Sequence, residues 1–288
     1  MGVVYECVPN VSEGRDRAAL DALTSACGQL LVDVHSDADH HRSVLTLATE
    51  DPVALEAAVR ALAREVVARC DIGTHEGVHP RLGALDVVPF VALGGGAPER
   101  EVATGLARRF ADWAGSELDL PCFLYGDVDA LGRSLPDARR EAFRSRRPDH
   151  GPMRPHVTAG ATAVGARPPL VAANAVLDTD DLVLATRVAG RVREAGGGPP
   201  GVRALGLWLA ASGRVQVSMN LVDLTSTGLQ DAVGAVEAAL AGSGAAVAGV
   251  EVVGLVPRSE SETWSTEFRE RWGLTDALTV ESRLDTPR

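Results

Sequence analysis

The sequence predicts an α+β fold, two ferredoxin-like (βαββαβ) subdomains in tandem. Three observations carry that expectation. Short runs rich in valine and leucine alternate with longer segments of helical period. The order strand, helix, strand, strand, helix, strand runs once through residues 3–93 and again through 169–256. Within each half, the two adjacent strands are separated by a polar or glycine-bearing turn, as a hairpin requires. The expected subdomains are 1–168 and 169–288.

In the first half, VVYECV (3–8) reads as a strand. A helix follows from about Arg15 to Gly28, with Ser12 and Glu13 near its start. LLVDVHS (30–36) and SVLTLAT (43–49) form the strand pair. Residues 51–70 are the clearest helix: Asp51 can cap it, Pro52 suits its first turn, and Leu55, Val59, Leu62 and Val66 fall on one face. ALDVVPFVAL (84–93) is the next strand. A helix from Glu99 to Ala114 and a strand at 122–128 precede the charged stretch LPDARREAFRSRRPDHGP. The run GPMRPHVTAGATAVG (151–165) holds small residues and too little apolar content for core, so a long binding or moving loop is expected.

The second half opens with a strand at 169–177 and a helix capped by Thr179 and stopped by Gly196. Strands 202–210 and 214–224 form a hairpin across Ala211, Ser212 and Gly213. A helix at 227–242 and a strand at 245–256 complete the unit.

Composition narrows the function. With 45% hydrophobic residues, a packed core can form. The formal net charge of −11 argues against nucleic acid or an anionic membrane as partner, while leaving room for a local basic pocket. All the basic residues are arginine, which we read as biased genome composition. The four cysteines form no C-x-x-C pair, which suits a reducing compartment. There is neither a signal-peptide pattern nor an apolar run of the ~18 residues that a span needs. A cytoplasmic protein is expected. GGGAPER (94–100) and GGGPPG (196–201) lack the Lys-Ser/Thr of a phosphate loop, and no bound metal or nucleotide is expected.

One motif points elsewhere. His75-Glu76-Gly77-Val78-His79 matches H-E-x-x-H, which on a helix binds zinc. Here Gly73 precedes it, Gly77 lies inside it and Pro80 follows it. Glycine costs ~1 kcal/mol in a helix interior, and the residue before proline is pushed out of the α region. The zinc-hydrolase reading is therefore the minor one. His75 reads as an ordinary polar group. His79, on a turn stiffened by Pro80 before a strand, suits proton transfer, with an unperturbed pKa of ~6.5.

ECVPNVSEGRD (6–16), HPRLGALDVVPF (79–90), LYGD (124–127), PDHGP (148–152) and TAGATAVGARPPLVAAN (158–174) together resemble the formiminotransferase family. The similarity runs in register from residue 6 to about 257. It implies two ferredoxin-like subdomains and transfer of a formimino group from N-formimino-glutamate to tetrahydrofolate, a co-substrate, in histidine breakdown. It implies a homodimer in the stand-alone form, without a cyclodeaminase domain. It places the catalytic histidine at His79. It places folate on Gly151, Pro152, Met153, Arg154, Pro155, His156, Val157, Thr158, Ala159 and Gly160, where small residues let a pterin approach the backbone and Arg154 or His156 could meet its anionic tail. The donor's carboxylates ask for arginine forks, for which Arg42 and Arg81 are the candidates, with Arg167, Asp33 and Asn10 behind them. The alternatives are a formyl or formimino donor built on another amine, and a folate-binding homologue without catalysis.

Overall fold

The computed structural model describes residues 2–77, 80–210 and 212–285. The chain divides into two compact units, 1–167 and 168–288.

The first unit contains β1 (Val4–Cys7), β2 (Asn10–Val11), α1 (Arg17–Cys27), β3 (Leu31–Asp37), β4 (Arg42–Thr49), α2 (Pro52–Arg69), β5 (Leu85–Leu93), α3 (Ala97–Glu117), β6 (Cys122–Gly126), α4 (Leu135–Glu141) and β7 (Thr162–Ala166). β1 and β2 are two pieces of one path, each lying between β4 and β5. Pro9 separates them because it has no N–H to give a ladder, though its carbonyl still accepts from Leu45 at 3.0 Å. Across the sheet the order is β3, β4, β1 with β2, β5, β7, β6. The first four positions are antiparallel and follow the βαββαβ order. β7 and β6 then extend the sheet in parallel beyond β5.

That extension corrects the expectation for 151–165. Its last part is no loop: β7 is an interior strand between β5 and β6, and all five of its residues are buried. Its small side chains sit where the neighbouring strand packs closely, so low apolar bulk there marks tight packing. A Cβ on Gly165 would lie 2.4 Å from the Tyr125 ring.

α2 forms as its sequence dictates. Asp51 Oδ1 accepts the N–H groups of Val53 and Ala54 at 2.9 and 3.2 Å, Pro52 opens the first turn, and Leu55, Val59, Leu62 and Val66 are buried. They join Leu23 of α1 and Leu106 and Phe110 of α3 in the main core. α1 starts later than expected because Asp16 is its cap. Glu13 instead accepts the N–H groups of Gly14, Arg15 and Asp16 at 2.8 to 2.9 Å, closing a turn ahead of the helix.

The second unit contains β8 (Val171–Leu177), α5 (Leu182–Val192), β9 (Val202–Leu209), β10 (Arg214–Leu221), α6 (Leu229–Leu240) and β11 (Val247–Val252). Its sheet runs β11, β8, β10, β9, antiparallel throughout. Ala211, which falls between β9 and β10 in the sequence, lies outside the described residues. Asp181, not Thr179, caps α5, accepting from Leu184 at 2.9 Å, and Thr179 supports it by accepting the Asp181 N–H at 3.2 Å. The helix stops at Val192, ahead of Gly196, which sits in a separate short turn. Gly206 lets α5 press onto β9: a Cβ there would be 2.5 Å from the Thr186 nitrogen.

Beyond β11 come α7 (Arg258–Ser261), α8 (Thr266–Trp272) and α9 (Val280–Asp285). Trp264, Phe268, Leu274 and Val256 from this tail belong to the second unit's core. Among the described residues, no helix is long and apolar enough to cross a membrane.

Candidate active site

The ends of β2, β4 and β5 meet at one edge of the first sheet. Asn10 and Val11 pair with Val44 and Ser43 on one side and with Val87 and Leu85 on the other. Ser12 continues along the start of β5: its N–H donates to Ala84 at 2.7 Å and its hydroxyl to the Gly83 carbonyl at 2.8 Å. Gly14 then passes under the β3–β4 turn, where a Cβ would lie 2.4 Å from the Asp37 carbonyl oxygen.

Two segments singled out in the sequence come together here. The Ala84 N–H donates to the Ala159 carbonyl at 2.9 Å, and the Ala161 N–H to the Leu82 carbonyl at 3.2 Å. Gly83 faces Gly160, and a Cβ on Gly83 would be 2.2 Å from the Ala159 oxygen. Ile72 is tied to the same region, donating to the Thr158 carbonyl at 2.7 Å. The stretch after the H-P-R motif is thus laced to the end of the 151–160 segment.

That segment has two characters. Ala159 and Gly160 are buried. Met153 and Val157 are apolar yet 56% and 93% exposed, and Arg154 is exposed beside them. His156 shapes the turn between, its Nδ1 accepting from the Ala159 N–H at 3.0 Å and the Thr158 N–H at 3.3 Å.

His79 lies outside the described residues, as does Val78. The chain on either side is held. Arg81 donates to the carbonyls of Gly77 at 3.0 Å and His75 at 3.1 Å. Gly77 packs against the β3–β4 turn, where a Cβ would be 2.4 Å from the His40 carbonyl oxygen. His75 to Gly77 belong to no helix, and α2 has already ended at Arg69. The described part of the H-E-x-x-H match therefore lacks the helical frame that a zinc motif needs. Among the described residues, no group of three or more histidine, cysteine, aspartate or glutamate side chains is placed to hold a metal.

Arg42 is buried and committed to protein partners. Its Nε and Nη2 donate to Asn10 Oδ1 at 3.1 and 2.9 Å, and Nη2 lies 2.8 Å from Asp86 Oδ2. Asp86, fully buried, also pairs with Arg139 and accepts the Leu82 N–H at 2.6 Å. Burial alone would raise its pKa. The guanidiniums of Arg42 and Arg139 outweigh that and hold it below the usual carboxylate range. Two cations on one anion leave this cluster one positive charge in excess, next to the strand edge that carries Asn10. Asp33 lies on β3, opposite Thr46. Arg167 ends the first unit, its side chain hydrogen-bonded to the buried Tyr125.

The sequence reading missed Asp86, Arg139 and a histidine group. His41 Nε2 lies 3.1 Å from Glu13 Oε1, and its ring stacks on that of His75, with centroids 4.1 Å apart and planes 14° apart. His75 Nε2 lies 2.7 Å from the His41 carbonyl oxygen. His40 Nδ1 is 3.4 Å from Asp37 Oδ2. His75 is thus half-buried in a built cluster and is not an ordinary surface group. The signal was present in outline: the βαββαβ order brings the His40-His41 turn and the loop before β5 to one sheet edge.

Family models match both units. The formiminotransferase domain, N-terminal subdomain, matches residues 4–167, and the formiminotransferase domain matches residues 173–270. Glutamate formimidoyltransferase of Streptococcus pyogenes serotype M1 is 36% identical over 276 residues, covering 89% of this chain and 90% of that protein. Glutamate formimidoyltransferase of Thermoplasma acidophilum is 35% identical over 301 residues, covering 98% and 97%. The formimidoyltransferase-cyclodeaminase of Sus scrofa is 35% identical over 279 residues, covering 89% of this chain and 51% of that longer protein. With both units matched and relatives above 30% identity along most of its length, this chain is a transferase that belongs to the formiminotransferase family.

Proposed function

We propose that this protein transfers the formimino group of N-formimino-L-glutamate to N5 of tetrahydrofolate, with His79 as the proton carrier. The lacing of residues 82–84 to 159–161 is the observation that carries the reading: it sets the segment expected to bear the chemistry against the segment expected to bear the folate. The relatives named glutamate formimidoyltransferase support the donor.

The reacting carbon is a planar amidine centre. Attack by N5 gives a tetrahedral adduct bearing two amine nitrogens. The attacking nitrogen must lose a proton and the departing glutamate nitrogen must gain one. One imidazole with a pKa near neutrality can do both in turn, as base and then acid. On the folate side, exposed Met153 and Val157 offer apolar contact to a flat ring, and exposed Arg154 offers charge to an anionic tail. On the donor side, Arg81 and the surplus charge of the Arg42–Asp86–Arg139 cluster favour a carboxylate.

We place the proton carrier in the 1–168 subdomain, with 169–288 as its tandem partner, and read the enzyme as a cytoplasmic homodimer. Its cysteines, Cys7, Cys27, Cys70 and Cys122, are unpaired and buried, as a reducing compartment would leave them. Sedimentation equilibrium checks the dimer.

The test is an assay of purified protein with tetrahydrofolate and, in separate arms, formiminoglutamate and formylglutamate. Formation of the 5-formimino product in the first arm alone is the expected result. Turnover only with the formyl compound would replace the donor, and folate binding without turnover would leave a silent homologue. Stoichiometric zinc in metal analysis would instead favour a hydrolase. His79→Ala is expected to lower turnover by ~10²–10⁴ while folate still binds.

A further inference from the structure

His75 is the histidine of the H-E-x-x-H match that the proposed reaction leaves unused, and its surroundings give it a task. Its Nε2 sits 2.7 Å from the His41 carbonyl oxygen. A carbonyl only accepts, so the ring proton is on Nε2. Nδ1 is buried and has no hydrogen-bond partner among the described residues. A second proton would have to enter at that buried atom, which has no neighbouring side chain among the described residues to receive it.

The neighbours reinforce this. The ring lies face to face with His41 at 4.1 Å, so two imidazolium rings would repel at contact distance. The other ring of the stack is itself anchored, with His41 Nε2 3.1 Å from the Glu13 carboxylate. Three segments supply the ionisable groups around the pair: Glu13 before α1, Asp37 at the end of β3 with His40 in the turn after it, and Arg81 on the loop's own far side. Glu76, the neighbour in sequence, is exposed. Burial pushes the His75 pKa below its ordinary value, with His41 and Arg81 adding to the shift and the carbonyl hydrogen bond opposing it.

We propose that His75 is a positioning residue: an Nε2–H strut that fastens the His79-bearing loop to the β3–β4 turn, with His41 and Glu13 as its clamp. The proposal rests on His79 being the proton carrier. The strut and the Arg81 brace hold the chain on the two sides of that residue. A displacement of ~1 Å at a reacting group can cost ~10² in rate, so loss of the strut should appear in kcat more than in KM.

Two measurements on the intact protein test this. The first is nitrogen-15 NMR of the histidine rings from about pH 5 to pH 8, the range across which an unperturbed histidine titrates. The His75 signals are assigned by their loss in His75→Gln. A neutral ring held as the Nε2–H tautomer is expected; an Nδ1–H tautomer or a mixture of the two overturns the proposal. The second is steady-state kinetics of His75→Gln, which keeps a donor, and His75→Phe, which keeps only the ring face. We expect Phe to lower kcat by ~10–10² with little change in KM for tetrahydrofolate, and Gln to restore most of it. Equal activity in wild type and His75→Phe, or equal loss in both variants, overturns the positioning role. If the wild type itself transfers no formimino group, the functional reading fails, while the NMR result still decides the tautomer.

Discussion

The two units share one strand order and bury different chemistry. In the first, the βαββαβ path is broken at Pro9, β2 shifts register against β5, and the strand ends beside that irregularity hold Arg42, Asp86 and the Glu13–His41 pair. In the second, β9 and β10 pair without interruption from Val202 to Leu221. Its buried polar groups tie elements together. Asn174 donates to Glu251 at 2.9 Å, and the buried Glu260 accepts the Leu229 N–H at 2.7 Å at the start of α6, where Gly228 has no side chain to cap with. The second unit, whose β11 carries its own register shift against β8, uses these polar residues to close the fold. The first collects charge at its strand ends, as expected where local rules yield to function.

That contrast can be broken by experiment. Asp86→Ala strips the anion from two guanidiniums in the first unit and should destabilise it by about 3–5 kcal/mol in urea titration, with loss of transfer. A near-neutral result would mean the cluster is hydrated and not structural. Leu177→Ala, in the fully buried core of the second unit, should cost about 2–5 kcal/mol while KM for tetrahydrofolate stays near wild type. A large rise in KM would give the second unit a direct part in folate binding. Removing the equivalent helix caps, Asp16→Ala in the first unit and Asp181→Ala in the second, should cost about 0.5–2 kcal/mol each by thermal unfolding. Similar values would show that both units use the same local rules away from the site.

A further effect is one of pH. Hydrogen bonding from the His40 ring, set against partial burial and helped by the His40 N–H, holds the Asp37 pKa at about 2. Its unfolded value is ~3.9, so the folded carboxyl is depressed. The stability it contributes is present above about pH 4 and fades as pH falls toward 2. Glu13, likewise held low, acts in the same direction. Asp37→Asn should flatten the acid end of the stability profile, as followed by circular dichroism on acidification; an unchanged profile would place the acid-sensitive group elsewhere.

Much of the scaffold was written locally. Asp51-Pro52 and the Leu55, Val59, Leu62, Val66 stripe specify α2 from within a few residues, and alternating apolar runs specify most strands. A start signal can still be misread by two or three residues when acceptors crowd together, as with Thr179 against Asp181 and Glu13 against Asp16. The interior place of β7 was hidden because alanine, threonine and glycine look like loop until two larger neighbours close around them.

The sequence by itself determined the βαββαβ repeat, the start of α2 and the family, since periodicity, caps and motif spelling are short-range properties. Only the tertiary structure decided that Arg42 and Arg139 share Asp86, that His41 lies on His75 and that Glu260 closes α6 from 31 residues away. Charge pairing and ring stacking depend on distance in space, and no local pattern encodes which distant group will arrive there.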